Sequence, residues 1–553
     1  VWVLFHYLRT KFGRYERMPI PVVCVGNVTL GGAGKTPTVI FLASYLKKNN
    51  INVHVVSRGY GGQFKGTVFV DRGNHTASDV GDEPLLISRY AKVWVSKKKK
   101  AGIFSAYEAG ADMVLLDDGH QNFSIKKNIE IKSISIDTRT LKKNSLFIAI
   151  KGASFNGNDY VNEALKKGAC LVITDNKKFK DSKNTKLIFV NNSLAALKKI
   201  AKNIIKDYQG NVIGITGSNG KTTTTRIISN SLDRSSRTLK NFNNEIGMPL
   251  SIMNANPKSK NLVIEMGAAK PKDIHYLSSF LKPDIGVITS IGNSHLENLK
   301  NIQGVLSVKS ELVSNIKKGG CLIVPSDNKT HLKFWKNIRK DIKIITFGLK
   351  ECADFYPVDI DYDLNKLKFT IYSDKYSSEI KINSYMLGEH NVLNILASFA
   401  VSNYLNSSLD KFLTSLKSSQ NLPIRQRQLK WINDSLLIDD TYNANPDSVR
   451  KSIDLLNTSS KRKILLLGDM LELGRLKRNM HIEIGKYALT KKIDILLGFG
   501  DLSKYAVESF GNNGKFFDNE KSLKQFLNDN INSRDVILIK GSRGMKMERF
   551  INV

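Results

Sequence analysis

Two loops in this chain have the residue types of a phosphate cradle: Thr29-Leu-Gly-Gly-Ala-Gly-Lys-Thr36 and Gly214-Ile-Thr-Gly-Ser-Asn-Gly-Lys-Thr222. Glycines let backbone N–H groups turn toward phosphate oxygens. A lysine reaches the outer oxygens, and a threonine hydroxyl reaches a divalent cation. The first loop offers Gly31, Gly32, Gly34, Lys35 and Thr36 for this, and the second offers Gly217, Ser218, Asn219, Gly220, Lys221, Thr222 and Thr223. The chemistry implied is the handling of ATP with Mg2+. Neither loop has glycine at the first position of the strict motif, where Thr29 and Ile215 stand, so the flanking residues must decide what each loop does.

Each loop follows a short apolar run (Val22 to Val25, Val212 to Ile215) and precedes a helix-like stretch, the strand–loop–helix context a cradle needs. Apolar runs alternate with amphipathic stretches almost throughout, as at 53–57, 113–116, 262–265, 285–289, 464–467 and 536–540. The expected fold class is therefore α/β and multidomain, with P-loop-type parallel sheets and flanking helices. At 553 residues, 41% of them apolar, about three or four domains are expected. Boundaries are expected near 124–131, 208–211 and 418–423. They divide the chain into 1–128, 129–208, 209–421 and 422–553.

The net charge of +34 is open to a nucleic-acid partner or an anionic membrane surface. The lysines are scattered and no nucleic-acid-reading motif is present, so no nucleic acid is expected and a general lysine bias accounts for the charge. The four cysteines, Cys24, Cys170, Cys321 and Cys352, lack metal-ligand spacing and suggest no disulfide framework. A cytoplasmic setting is expected. No apolar run reaches membrane-spanning length. Residues 1–12, apolar and then basic, suit either a peripheral membrane contact or an ordinary packed helix. The first residue is Val rather than Met, as in a fragment.

The front of the chain carries the first loop in Val25-Gly-Asn-Val-Thr-Leu-Gly-Gly-Ala-Gly-Lys-Thr-Pro37. Ser57-Arg-Gly-Tyr-Gly-Gly62, Val80-Gly-Asp-Glu-Pro84 and Asp117-Asp-Gly-His-Gln121 follow. In this order it resembles the tetraacyldisaccharide 4'-kinases, the lipid A kinases. The resemblance implies MgATP on Lys35 and Thr36, and Asp82 helping to activate a sugar hydroxyl. Asp117 and Asp118, at a strand end, suit a metal-binding pair in phosphoryl transfer; a turn or helix cap is the alternative. That family continues into a second domain that supplies a histidine partner for the acid, whereas this chain leaves the pattern after Gln121. Residues 1–128 are therefore expected to be a truncated kinase-like domain that binds nucleotide without turnover. The alternative is a bifunctional protein that also phosphorylates a lipid A disaccharide precursor.

Residues 129–553 resemble the Mur ligases, in the branch that adds D-alanyl-D-alanine. Ile134-Ser-Ile-Asp-Thr-Arg139 and Leu146-Phe-Ile-Ala-Ile-Lys-Gly152 are similar to the UDP-sugar-binding N-terminal domain. Asp137 and Arg139 are then substrate contacts, or else a local ion pair at a turn. Asn156-Gly157-Asn158 stands where the family often has Asp-Gly-His. After the second loop come Asn241-Phe-Asn-Asn-Glu-Ile-Gly-Met-Pro249, Val263-Ile-Glu-Met-Gly267 and Thr289-Ser-Ile-Gly-Asn-Ser-His295. The string containing Asn243 and Asn244 marks the D-alanyl-D-alanine-adding branch, and both are substrate candidates.

Glu265 and His295 each follow a strand-like run. Ligands of open parallel sheets bind at the carboxyl ends of strands, so Lys221, Thr222, Glu265 and His295 are expected to converge on one MgATP site, with Thr222, Glu265 and His295 on the metal. Lys309 is either the lysine that some Mur ligases carbamylate as a further metal ligand, or a plain lysine. Leu387-Gly-Glu-His-Asn-Val-Leu-Asn394 resembles the segment that meets adenine, through Asn391. Arg427, preceded by Gln426 where the family has Gly, and Asp440 are further nucleotide candidates. Asn443 and Asn445, in Ile438-Asp-Asp-Thr-Tyr-Asn-Ala-Asn-Pro446, are substrate candidates. Leu467-Gly-Asp-Met-Leu-Glu-Leu-Gly474 and Lys540-Gly-Ser-Arg543 complete the matched motifs.

The resemblance implies that D-alanyl-D-alanine is ligated to UDP-N-acetylmuramoyl-tripeptide through an acyl phosphate, in peptidoglycan precursor synthesis. No side-chain nucleophile is needed. The rival from another class, a basic binding protein for nucleic acid or membrane that uses neither loop, would make the ordered motifs accidental.

Overall fold

The computed structural model describes residues 18–25, 35–117, 129–152, 155–182, 184, 186–256, 258–373, 378–418 and 426–552. Residues 1–12, Gly31, Gly32, Gly34 and Asp118 lie outside these, and only the backbone of Lys35 is described. The chain divides into two compact units, 1–209 with 245–259, and 210–244 with 260–553.

The first unit holds two sheets. One has six strands in the order Thr67–Phe69, Lys92–Ser96, Val53–Ser57, Met113–Asp117, Val22–Val25, Ile129–Ile131, parallel except at the first pair. Its central strands are near-continuous apolar runs because both faces are covered, as a parallel sheet requires. Val22, Cys24, Val56, Ile103, Val114 and Leu116 form the core. The sixth strand comes from just beyond the boundary expected at residue 128, so the front sheet is completed by downstream chain. The other sheet is parallel, in the order Leu187–Phe189, Leu171–Thr174, Ser145–Ile148, Ser133–Ser135.

The helix Ser193–Asp207 buries Ala196, Leu197, Ile200 and Ala201, and packs against the helices Lys35–Lys48 and Gly247–Met253. The latter belongs to a segment, 245–259, that returns to this unit. Asn254 exchanges side-chain hydrogen bonds with the backbone N–H and C=O of Ile134, and Lys198 pairs with Glu245 at 2.8 Å.

The second unit begins with a parallel sheet ordered Ser235–Arg237, Asn261–Glu265, Asn211–Thr216, Ile285–Ile288, Cys321–Pro325, Lys343–Phe347. In sequence rank that order is 2-3-1-4-5-6, so it reverses between Asn211–Thr216 and Ile285–Ile288 and opens a crevice at their carboxyl ends. An antiparallel sheet of Tyr356–Tyr362, Leu367–Ser373 and Ser378–Ser384 shares the same core, through Phe355, Leu367, Phe369 and Ile371. The third sheet runs Arg427–Lys430, Leu436–Asp440, Asp535–Lys540, Arg462–Gly468, Ile495–Phe499, Gly514–Phe517, antiparallel only at its first pair. No helix among the described residues is long and apolar enough to cross a membrane.

Candidate active site

The second loop leaves the strand Asn211–Thr216 and enters the helix Lys221–Ser231. Two glycines make the turn possible. Gly220 caps the helix with φ 82, and a Cβ there would lie 2.1 Å from Asn394 Oδ1. At Gly217, φ 148, a Cβ would lie 2.1 Å from Thr289 Oγ1. The loop is pinned from the neighbouring strand's end. Asn219 N–H donates to Ser290 Oγ at 2.9 Å, Thr289 Oγ1 donates to Asn219 O at 2.5 Å, and Ser218 Oγ donates to Gly292 O at 3.0 Å. Lys221 Nζ curls over the loop and donates to Gly217 O (2.7 Å) and Ser218 O (3.1 Å).

Strand register sets the acid beside this loop. Glu265 pairs with Ile215, two residues before Gly217, at the same sheet edge. Its carboxylate is 3% exposed and accepts from Thr222 Oγ1 and from Asn243 Nδ2, each at 2.8 Å. Lys221, Thr222, Glu265 and Asn243, which span 45 positions of sequence from 221 to 265, thus meet around one loop, while Asn244 beside them is exposed. Thr223 is buried in the helix.

His295 sits at the end of the same crevice, two residues after Asn293. It caps the short helix Leu296–Leu299 in a left-handed conformation, φ 53. Its Nδ1 lies 2.5 Å from Glu472 Oε2, and this contact holds the Glu472 carboxyl below its ordinary range. Among the described contacts none joins His295 to Glu265. Lys309, on the helix Ile302–Ser310, is 1% exposed. Burial, and then the charge of Lys221, push its amine down to about 7.

The segment expected to meet adenine packs behind the loop. Asn391 donates from Nδ2 to Leu387 O at 2.7 Å and accepts from Asn394 Nδ2 at 2.9 Å. Asn394 is the residue that touches Gly220, which ties this segment to the cradle.

The third sheet contributes from above. Arg427 pairs with the buried Asp439 at 3.2 Å. Asp440 accepts from Lys540 Nζ at 2.5 Å and from Ser452 Oγ at 2.8 Å. Lys540 also donates to Asn443 O at 3.1 Å, and Asn443 Oδ1 accepts from Arg543 N–H at 3.3 Å. Asn445 caps the helix Pro446–Leu456 and also donates from Nδ2 to Asn219 Oδ1 at 2.8 Å, touching the phosphate loop itself.

Several residues here carried no sequence-based nomination. Asp447 accepts from Asn293 N–H at 2.6 Å, beside Gly292, and Glu389 pairs with Lys451 at 2.8 Å. Glu472 and Lys540 lie inside the matched motifs 467–474 and 540–543, where a charged residue flanked by glycine is the sequence signal. Asp447 had only its place after Asn445-Pro446.

In the first unit, Asp137 and Arg139 form a two-pronged ion pair with each other, 2.8 Å at its shortest, inside one turn. Arg139 remains 85% exposed, so the local pair forms without removing it from solvent. In the front segment Thr36 Oγ1 donates to Glu83 Oε1 at 3.2 Å, and exposed Asp82 accepts from Glu83 N–H. Asp117 is buried at a strand end, where Ser57 Oγ donates to its carboxylate and Lys99 Nζ to its carbonyl.

Comparison with known proteins agrees with this arrangement. Residues 130–209 match the family described as "Mur ligase family, catalytic domain", 215–402 the Mur ligase middle domain, and 425–543 the Mur ligase glutamate ligase domain. Residues 3–147 match the tetraacyldisaccharide-1-P 4'-kinase family. The chain is 33% identical over 431 residues to the UDP-N-acetylmuramoyl-tripeptide–D-alanyl-D-alanine ligase of Buchnera aphidicola subsp. Baizongia pistaciae, covering 77% of this chain and 93% of that one. It is 32% identical to the ligase of the same name from Bacillus subtilis, covering 76% and 92%. The crystal structure of MurF from Acinetobacter baumannii superposes with a TM-score of 0.69 at 26% identity, covering 76% of this chain and 93% of that one. MurF ligase from Thermotoga maritima in complex with ADP gives 0.66 at 27%, covering 76% and 96%. Beyond its kinase-like front, the chain belongs to the Mur ligase family, among the UDP-N-acetylmuramoyl-tripeptide–D-alanyl-D-alanine ligases.

Proposed function

We propose that this protein joins D-alanyl-D-alanine to UDP-N-acetylmuramoyl-tripeptide, driven by ATP, in the synthesis of peptidoglycan precursor. The observation that carries it is the cluster of Lys221, Thr222, Glu265 and Asn243 at one loop, with Asn445 of the third sheet bonded to the same loop. Residues 129–208 would hold the UDP-sugar, 209–421 ATP, and 422–553 would close over the nucleotide. The four cysteines, far apart in sequence, suit a reducing, cytosolic setting.

The Thr222 hydroxyl and Glu265 carboxylate, 2.8 Å apart, are hard oxygen donors of the kind Mg2+ takes, and the imidazole of His295 adds a donor that Mn2+ also accepts. When bound, Mg2+ would offset charge on the phosphates of ATP. Lys221 exchanges its loop carbonyls for the γ-phosphate. The peptide carboxylate attacks that phosphate and releases ADP, which forms an acyl phosphate. The dipeptide amine attacks the acyl carbon, an amide forms, and phosphate leaves. Closure excludes the water that would hydrolyse the acyl phosphate. The Lys309 amine, pushed down to about 7, is available at neutral pH in the unprotonated form that carbamylation requires.

The test is phosphate release coupled to product formation. It should need both UDP-N-acetylmuramoyl-tripeptide and D-alanyl-D-alanine. Release independent of the dipeptide, or equal product with a single amino acid, would count against this function.

A further inference from the structure

Glu472 lies in the loop that follows the strand Arg462–Gly468, and none of the roles above uses it. Its backbone is left-handed, φ 63, although it is not glycine. Such a conformation is strained for a residue with a side chain and persists where the surroundings over-determine it. Here the surroundings are the helix Leu296–Leu299 and the histidine that caps it. Glu297 N–H donates to Glu472 O at 3.0 Å. Gly474 sits so close to the same residue that a Cβ on it would be 3.0 Å from Glu297 Cα. Glu472 Oε2 then reaches His295 Nδ1 at 2.5 Å. The loop is seated by its backbone, and its carboxylate ends on one ring nitrogen of a residue assigned above to the metal.

The contact is an ion pair rather than an aligned hydrogen bond, since Nδ1 has no hydrogen-bond partner among the described residues in its buried position. A carboxylate held this close to one imidazole nitrogen favours the tautomer with the proton there, restrains the ring, and leaves the Nε2 lone pair for a cation. We infer that Glu472 is a positioning residue of the ligase: it orients His295 toward the divalent cation, and because it is carried by the third sheet, it ties metal affinity to the docking of that sheet on the ATP site. The inference rests on the ligase reading and on His295 as a metal donor. Linkage then requires that the cation favour docking by the same factor by which docking favours the cation. Glu472 does not touch substrate in this scheme, so its loss should change the metal requirement more than the turnover at saturating metal.

The experiment uses the full chain with ADP and Mn2+, with free Mn2+ read by electron paramagnetic resonance, so that binding is measured without turnover. Glu472→Ala should weaken Mn2+ binding about 10–100-fold, the usual consequence of removing a partner behind a metal-bound histidine. Glu472→Gln keeps a side-chain oxygen of the same reach beside Nδ1 and should lose only a small part of that. Glu483→Ala, which removes the exposed partner of Arg450, controls for loss of a surface carboxylate and should match wild type. In ligation, Glu472→Ala should raise the Mg2+ concentration for half-maximal rate by a factor similar to its Mn2+ loss, with kcat at saturating Mg2+ much less affected.

Wild-type Mn2+ affinity in Glu472→Ala overturns the inference. So does a folded Glu472→Gln that loses as much as the alanine variant. If Glu472→Ala does not fold, the glutamine variant decides: near-wild-type affinity supports positioning by the side-chain oxygen, and a large loss refutes it. A wild-type protein that binds Mn2+ with ADP but makes no ligation product overturns the ligase reading instead, and the Mn2+ measurements still judge Glu472.

Discussion

Gly220→Ala should be among the most damaging single-methyl changes in the second unit, and its cost can be worked from the structure. The residue sits at φ 82, where a side chain costs on the order of 1–2 kcal/mol. The new Cβ would also fall 2.1 Å from Asn394 Oδ1, so Asn394 must move. Asn394 is 7% exposed and donates to Asn391 Oδ1 at 2.9 Å, and breaking a buried bond of that kind costs about 1–3 kcal/mol. The expected total is about 2–5 kcal/mol, with ADP binding weakened because the distorted residue opens the helix that carries Lys221 and Thr222. Urea unfolding of Gly220→Ala, Asn394→Ala and the double variant separates the two parts. The double variant should be more stable than the sum of the singles predicts, by about 1–3 kcal/mol, since removing Asn394 removes the collision but not the backbone strain. Strict additivity, or a Gly220→Ala cost below about 0.5 kcal/mol, would refute the steric part of this reasoning.

Other outcomes follow from the same geometry. Lys221→Ala should lower the ligation rate by roughly 10²–10³ or more, while Lys35→Ala leaves it nearly intact, as steady-state kinetics of the two would show; comparable losses would mean that the front loop serves ligation. His390, partly buried, has its imidazole pushed down from 6.5 to about 4, chiefly by desolvation. The unfolded chain therefore binds the extra proton between those values, so stability is full above 6.5 and falls as pH drops toward 4, by about 3 kcal/mol from this group. His390→Gln should flatten that part of the acid-unfolding profile, and an unchanged slope would reject the assignment. A chain starting near residue 129 should fold and ligate like the full chain, although it leaves the strand Ile129–Ile131 without Val22–Val25. An insoluble or inactive truncation would make the front a structural part of the ligase. Transfer of ³²P from ATP to a tetraacyldisaccharide, lost on Lys35→Ala, would make the protein bifunctional.

Much of the site was legible in the residues because its signals are local. Gly217, Gly220, Lys221 and Thr222 form a strand–loop–helix unit within ten positions, and glycine at left-handed φ is a requirement of the chain itself. Glu265 followed from an apolar run that ended in an acid, because parallel strands deliver their last residues to one edge. Which distant loops then meet depends on sheet order and on how one layer seats on another, and no window of sequence contains that. The recognised string Asn241–Pro249 proved to be divided, with Asn243 on Glu265 in the second unit and Glu245–Ser259 packed in the first. Asn445, a substrate candidate by its motif, also bonds Asn219 from 226 positions away, which no local signal shows. The residue types and the local turns came from the sequence. The partners of His295, Asn219 and Asn293 were decided by tertiary packing, because Glu472, Asn445 and Asp447 approach them only once the third sheet is docked.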